Sequence, residues 1–192
     1  MLVKTCKMPD ISDKQPSAIG RFLAASLIGI YQAKGKEAEL RFAILARLID
    51  KARHEYSYAR EAVLAEEAES AMSFEEIRSR GQGQFLYGAT ITNHLENCVN
   101  ALGRIYVTLE TESSKSPTSH TVKNMRDMVE HMDEKIRQGV YGPIALDISE
   151  DASIIKIFFR DRNNTREEVL SLNTIDLAQE IRRLYTDILN RL

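Results

Sequence analysis

The sequence lacks the residues that mark disulfide scaffolds and membrane spans. It contains no tryptophan, four prolines and only two cysteines, Cys6 and Cys98, among its 192 residues. Two cysteines so far apart predict reduced thiols and a cytoplasmic location rather than a disulfide framework. The longest apolar run covers only residues 22–31, whereas a membrane-spanning helix needs about 20 residues. We therefore predict no membrane partner.

An excess of charge of either sign is also missing. The chain carries 26 basic and 28 acidic residues, for a formal net charge of -2. No global positive field therefore draws it to nucleic acid, which argues against a non-specific coat protein but leaves room for a local basic cleft. A composition of 43% hydrophobic and 28% charged residues is that of a folded protein, and the length fits one domain over residues 1–192.

Apolar residues that recur with a period close to 3.6 predict a mainly α protein, an up-and-down helical bundle. Gly35 is predicted to end the first helix, and the polar residues 1–15 are predicted to form a loose arm. The predicted helices cover residues 17–33, 36–71, 73–80, 84–109, 119–138 and 174–191.

The pattern changes between the last two helices. Ile144, Leu146 and Ile148 alternate with other residues, and residues 154–159 are mostly β-branched or aromatic. Residues 168–172 can form a return strand. We expect a small antiparallel β meander over about 144–172, before the C-terminal helix. No segment is long enough to act as a linker between domains.

The most informative motif is Arg126-Asp127-x-x-x-His131, on the helix predicted over 119–138. Asp127 and His131 are four residues apart on one helix face, so the carboxylate can orient the imidazole. The long side chain of Arg126 can reach a phosphate held near that imidazole. RNA supplies its own nucleophile, the 2′-hydroxyl, so a proton-moving histidine and a charge-stabilising arginine are sufficient for cleavage. We predict Arg126, His131 and Asp127 as catalytic residues, with neither metal nor cofactor.

The arginine, the polar residue beside it and the histidine five positions on resemble the active-site motif of the HEPN family (higher eukaryotes and prokaryotes nucleotide-binding). The resemblance covers roughly residues 17–140. It implies a homodimer with two arginines and two histidines in one cleft, and RNA products that end in a cyclic phosphate and a free 5′-hydroxyl. It also implies a toxin or defence effector that an antitoxin or another regulatory protein keeps inactive.

Other interpretations of the same residues stay open. Arg126 and Glu130 are spaced for an ordinary ion pair on a solvated helix. Arg47 and His54 also have a spacing that the family tolerates, but Leu48 stands where a polar residue is usual. If Arg126 and His131 are only surface residues, the protein is a non-catalytic helical dimer or adaptor that binds a protein partner. A third possibility is a small-ligand or nucleotide-binding regulator that uses the cleft between helices 84–109 and 119–138.

Polar residues on the helix predicted over 84–109 offer weaker candidates. Asn93 and Asn97 can contact ribose or hold the catalytic groups, or simply belong to a solvated face. His94 and Cys98 have the spacing of two metal ligands on one helix, but the sequence names no further ligands. We interpret them as structural and predict no metal site.

Overall fold

The computed structural model describes most of the chain, with gaps at several connections. The described residues are 5–12, 15–31, 35–79, 86–109, 117–131, 134, 137, 140–141, 146–161 and 167–191.

The fold is mainly α, as predicted, with a small antiparallel sheet before the C-terminal helix. Helix α2 packs along α4, and α1, α5 and the C-terminal helix complete the bundle around a shared apolar core. No helix in the described part of the chain is long and apolar enough to cross a membrane. The helices are α1 (Ala18–Leu27), α2 (Lys36–Ser70), α3 (Phe74–Ser79), α4 (Leu86–Leu109), α5 (Pro117–Glu130) and α6 (Thr174–Leu189).

The first helix is shorter than predicted. It begins after Ser17, whose hydroxyl accepts a hydrogen bond from the backbone N–H of Gly20, and it ends at Leu27. Gly29 then takes the left-handed conformation, with φ of 72°, that favours glycine after a helix. Gly35 was predicted to end this helix, but it precedes α2 instead, with φ of 111°.

The prediction of a loose N-terminal arm is wrong for its described residues. Met8 and Ile11 are buried in the core. Arg60 Nε donates to the carbonyl of Met8 at 3.0 Å, and Arg182 Nη2 donates to the carbonyl of Asp10 at 2.7 Å. Two apolar side chains in a polar segment are sufficient to anchor it when α2 and α6 supply partners for its backbone.

The sheet is built around its longest strand. The strands are β1 (Val140–Tyr141), β2 (Asp147–Ile148), β3 (Ile154–Asp161) and β4 (Glu167–Asn173). β3 pairs antiparallel with the other three, with β4 along one edge and β1 and β2 in succession along the other. The predicted meander is confirmed, although it begins with β1, before residue 144. Ile144 lies outside the described residues.

Helix ends follow their local signals. The hydroxyl of Ser73 accepts from the Glu76 N–H, and the Glu76 carboxylate accepts from the Ser73 N–H at 2.8 Å, a reciprocal cap for α3. α5 begins at Pro117, two residues before the predicted start, because proline suits the first position of a helix. The predicted continuation of α5 beyond residue 131 is described only at Glu134 and Arg137.

Candidate active site

The side chain of Arg126 on α5 lies against Gly103 of α4. A Cβ atom placed on Gly103 would lie 2.3 Å from Arg126 Cδ and 3.0 Å from its Cβ and Cγ. Three residues on, the ammonium of Lys123 lies 5.8 Å from the ring centroid of Tyr106. The pairs 103 with 126 and 106 with 123 show that the two helices are antiparallel. Because Gly103 has no side chain, the aliphatic part of the Arg126 side chain packs directly against α4.

The guanidinium of Arg126 is held by carboxylates of its own helix. Nη2 donates to Glu130 Oε2 in a short contact, and Nη1 lies 3.5 Å from Asp127 Oδ1. The Arg126 side chain is only 21% exposed, and its Nε is buried with no hydrogen-bond partner among the described residues. The ordinary Arg126–Glu130 pair that the spacing allows is thus present. One strong donor of the guanidinium is still unused.

His131 follows the last residue of α5. Its backbone N–H donates to the Asp127 carbonyl at 3.0 Å, but its side chain is 61% exposed. Its Nδ1 lies 3.9 Å from Glu134 Oε2. Among the described residues, no hydrogen bond joins the imidazole to Asp127 or to Arg126. Within one chain, therefore, Asp127 pairs with the neighbouring cation and does not orient the imidazole as predicted.

The two asparagines predicted to contact the substrate lie on α4. Asn93 is exposed and Asn97 is half-buried, and neither side chain has a hydrogen bond within the described structure. Asn100, one turn before Gly103, has a buried Oδ1 without a partner there. A buried unpaired acceptor and the buried unpaired Nε of Arg126 thus flank the same stretch of α4. Such groups are costly to leave unsatisfied.

A buried polar cluster fixes α4 against α6. The Tyr106 hydroxyl donates to Glu180 Oε1 at 2.5 Å, and Arg183 donates to both oxygens of Glu180 at 2.7 and 2.8 Å. Burial and the neighbouring carboxylate raise the pKa of Tyr106 well above its usual range. These bonds connect α4 to α6 one turn beyond Gly103.

His94 and Cys98 have different surroundings. His94 Nδ1 lies 2.7 Å from Glu55 Oε2 on α2, while Cys98 is fully buried, and this burial raises the pKa of its thiol. In the part of the chain that the structure describes, no group of three or more histidine, cysteine or acidic side chains could hold a metal ion.

The residues that sequence reasoning missed are Gly103 and Glu55. A glycine inside a helix is unfavourable by about 1 kcal/mol relative to alanine. Gly103 could therefore have indicated that another element packs closely against the helix at this position. Glu55 carried none, because its partner is 39 residues away on another helix. Comparison of the chain with models of protein families, with curated proteins and with solved structures finds no match.

Proposed function

We propose that this protein is an RNA endonuclease that cleaves through the 2′-hydroxyl of its substrate without a metal ion, and that it acts as a homodimer. The observation that carries the proposal is the placement of Arg126. Its aliphatic stem packs on Gly103, its Nε has no partner among the described residues, and an exposed imidazole, His131, follows the last residue of α5. The resemblance to the HEPN family suggests the setting of a toxin or defence effector with an antitoxin or other regulatory partner.

The chemistry needs one group that moves protons and one that stabilises charge on phosphorus. An accessible imidazole can take the proton of the 2′-hydroxyl or give one to the leaving 5′-oxygen. A guanidinium with unused N–H donors can stabilise the negative charge that develops on the phosphoryl oxygens. In this scheme His131 is the acid or base, and Arg126 binds the phosphate.

The carboxylates beside Arg126 set a condition on this scheme. Asp127 and Glu130 already neutralise the guanidinium, so a phosphate has to compete with them, because the unpaired Nε is buried. Replacing Glu130 with glutamine weakens that competition. If Arg126 binds phosphate, Glu130→Gln should tighten RNA binding, whereas a purely structural ion pair would change only stability, by a few tenths of a kcal/mol.

A second subunit is needed because one chain does not bring the groups together. Among the described residues, no hydrogen bond joins Arg126 to His131, whereas the resemblance implies two copies of each in a shared cleft. The mass of the purified protein, measured by light scattering, should therefore be that of two chains. A stable monomer that still cleaves RNA would exclude the shared cleft.

The decisive assay incubates purified protein with a labelled single-stranded RNA in EDTA. Arg126→Ala and His131→Ala should each reduce cleavage by about 100-fold or more, with unchanged circular dichroism. His120→Ala, an exposed histidine on the same helix, is the matched control and should cleave normally. Products should carry a cyclic phosphate and a free 5′-hydroxyl. Equal cleavage by the parent and His131→Ala, or no cleavage by the parent, would refute the proposal.

A second function has an observation of its own. Leu23, Leu27 and Ile28 are 53%, 87% and 68% exposed, and Ile30, Leu40 and Ile44 are also exposed. Large exposed apolar surfaces often mark protein contacts. Together with the internal pairing of Arg126, this surface favours a non-catalytic dimer or adaptor that binds a protein partner. That function predicts that His131→Ala leaves binding of the protein partner unchanged, whereas Leu27→Glu abolishes it.

A further inference from the structure

Three aromatic rings cross the exposed side of α2. His54 and Tyr58 stack with centroids 6.4 Å apart and planes at 28°, and Tyr58 contacts His94 of α4 at 5.4 Å. His94 in turn is held by Glu55. His54 is exposed and Tyr58 is 51% exposed. Exposed rings that neighbouring rings hold in place offer a surface for a planar ligand.

We call the stacked rings of Tyr58 and His54 the Tyr58–His54 ladder. A cavity of about 280 Å³ opens beside it, between α2 and the N-terminal arm. His54 and Tyr58 form part of its wall, and Ile11 adds an apolar surface. The rest of the lining is polar, with hydroxyl, amide, carboxylate and guanidinium groups. These groups belong to Ser12, Gln15, Ser17, Asp50, Arg53, Ser57 and Glu61.

Much of this wall is held in place. The Asp50 carboxylate accepts hydrogen bonds from the Ser17 hydroxyl and from the N–H groups of Ala18 and Ile19, at 2.6 to 3.0 Å. The guanidinium of Arg53 lies over the ring of Tyr185, 4.3 Å from its centroid. Preformed walls reduce the entropy that a ligand loses on binding.

We propose that this cavity binds one nucleobase of single-stranded RNA, which stacks on the Tyr58–His54 ladder. The identity of the ligand rests on the proposed function, since the nuclease hypothesis is what makes RNA the ligand. Bases of single-stranded RNA are recognised by stacking on aromatic side chains and by hydrogen bonds to their edges. The cavity offers an aromatic wall for stacking and polar side chains for such hydrogen bonds.

Cations on the same face of α2 suit the phosphates next to the bound base. Arg47 and Lys51 precede His54 and Tyr58 at spacings of four, three and four residues, which places all four on one side of the helix. Both cations are exposed. Binding should therefore weaken with salt as well as with loss of the ring.

The test separates binding from cleavage by using the full-length His131→Ala protein. Fluorescence anisotropy with a short labelled single-stranded RNA should give a Kd that rises about 5- to 150-fold on Tyr58→Ala, the range expected for loss of one stacked base. Tyr58→Phe keeps the ring and should bind nearly as the parent does. Ile44→Ala, on the same exposed face of α2, controls for nonspecific effects.

Competition identifies the source of the base. Free mononucleotides that displace the RNA would show a pocket for a single nucleotide, and displacement only by RNA would show a base held within a strand; both support the pocket. If polyphosphate displaces the labelled RNA as effectively as unlabelled RNA does, binding depends on charge alone, and the proposal of a nucleobase pocket is overturned. Unchanged binding by Tyr58→Ala would also overturn it, even if the parent cleaves RNA. Conversely, Tyr58-dependent binding by a protein that never cleaves would keep the pocket and refute the nuclease.

Discussion

Replacing Gly103 with alanine tests the contact on which the candidate active site depends. In a helix interior the substitution alone is favourable by about 1 kcal/mol. Here the new methyl would lie 2.3 Å from Arg126 Cδ, where carbon atoms prefer about 3.5–4.0 Å. The arginine has to leave its rotamer and its pairing with Glu130, and overpacking of this kind costs about 1–3 kcal/mol. The net effect is a loss of up to about 2 kcal/mol.

The measurement is urea unfolding, with Gly88→Ala as the matched control. Gly88 is on the same helix, and a Cβ there would meet nothing within 4 Å, so its substitution should stabilise the protein by up to about 1 kcal/mol. The two substitutions should therefore differ by about 1–3 kcal/mol. If Arg126 is first truncated to alanine, Gly103→Ala should become favourable too, because the Cγ and Cδ atoms are gone.

The same substitution should reduce RNA cleavage, because a displacement of about 1 Å in a positioning group can cost about 100-fold. Gly88→Ala should leave cleavage unchanged. If the Gly103→Ala protein is as stable as the Gly88→Ala protein, Arg126 does not pack against Gly103. The proposed function would then lose its geometric basis.

Three further predictions concern stability. Asp50→Ala removes the carboxylate that accepts from the first N–H groups of α1, so the free energy of unfolding in urea should fall by about 1–3 kcal/mol; a loss below about 0.5 kcal/mol would contradict this role. Tyr106→Phe removes the hydroxyl donor to Glu180 and should cost about 1–3 kcal/mol, while no change would show that the network does not hold α4. Burial raises the pKa of Cys98, so its thiol ionises first in the unfolded chain, and the free energy of unfolding should fall as pH rises above about 9, by up to about 1.4 kcal/mol per pH unit. Cys98→Ala should flatten this decline more than Cys6→Ala does, since Cys6 is only half-buried; equal slopes would exclude the effect.

Much of the fold could be predicted because its signals are local. The caps at Ser73 and Asn173 mark helix starts by side-chain hydrogen bonds within three residues. Period and β-branched composition distinguished the helices from the β3–β4 hairpin. The N-terminal arm was missed because its order depends on Arg60 and Arg182, which are distant in sequence.

The candidate active site could be predicted only as a set of residue types. The spacing of Arg126 and Glu130 predicted an ion pair, and the pair is present. The same spacing rule allowed Asp127 to reach His131, but the structure pairs Asp127 with Arg126. Helix geometry says which side chains are able to meet, whereas the choice among them depends on the charges that surround each one.

The sequence by itself determined that the chain is mainly α with a β hairpin before its last helix, because periodicity and capping act over a few residues. Only the tertiary structure decided that Arg126 lies on Gly103, that Glu55 holds His94, and that the N-terminal arm closes a cavity beside Tyr58. Each of these depends on side chains that come together only when separate helices pack, and no local pattern encodes which faces will meet.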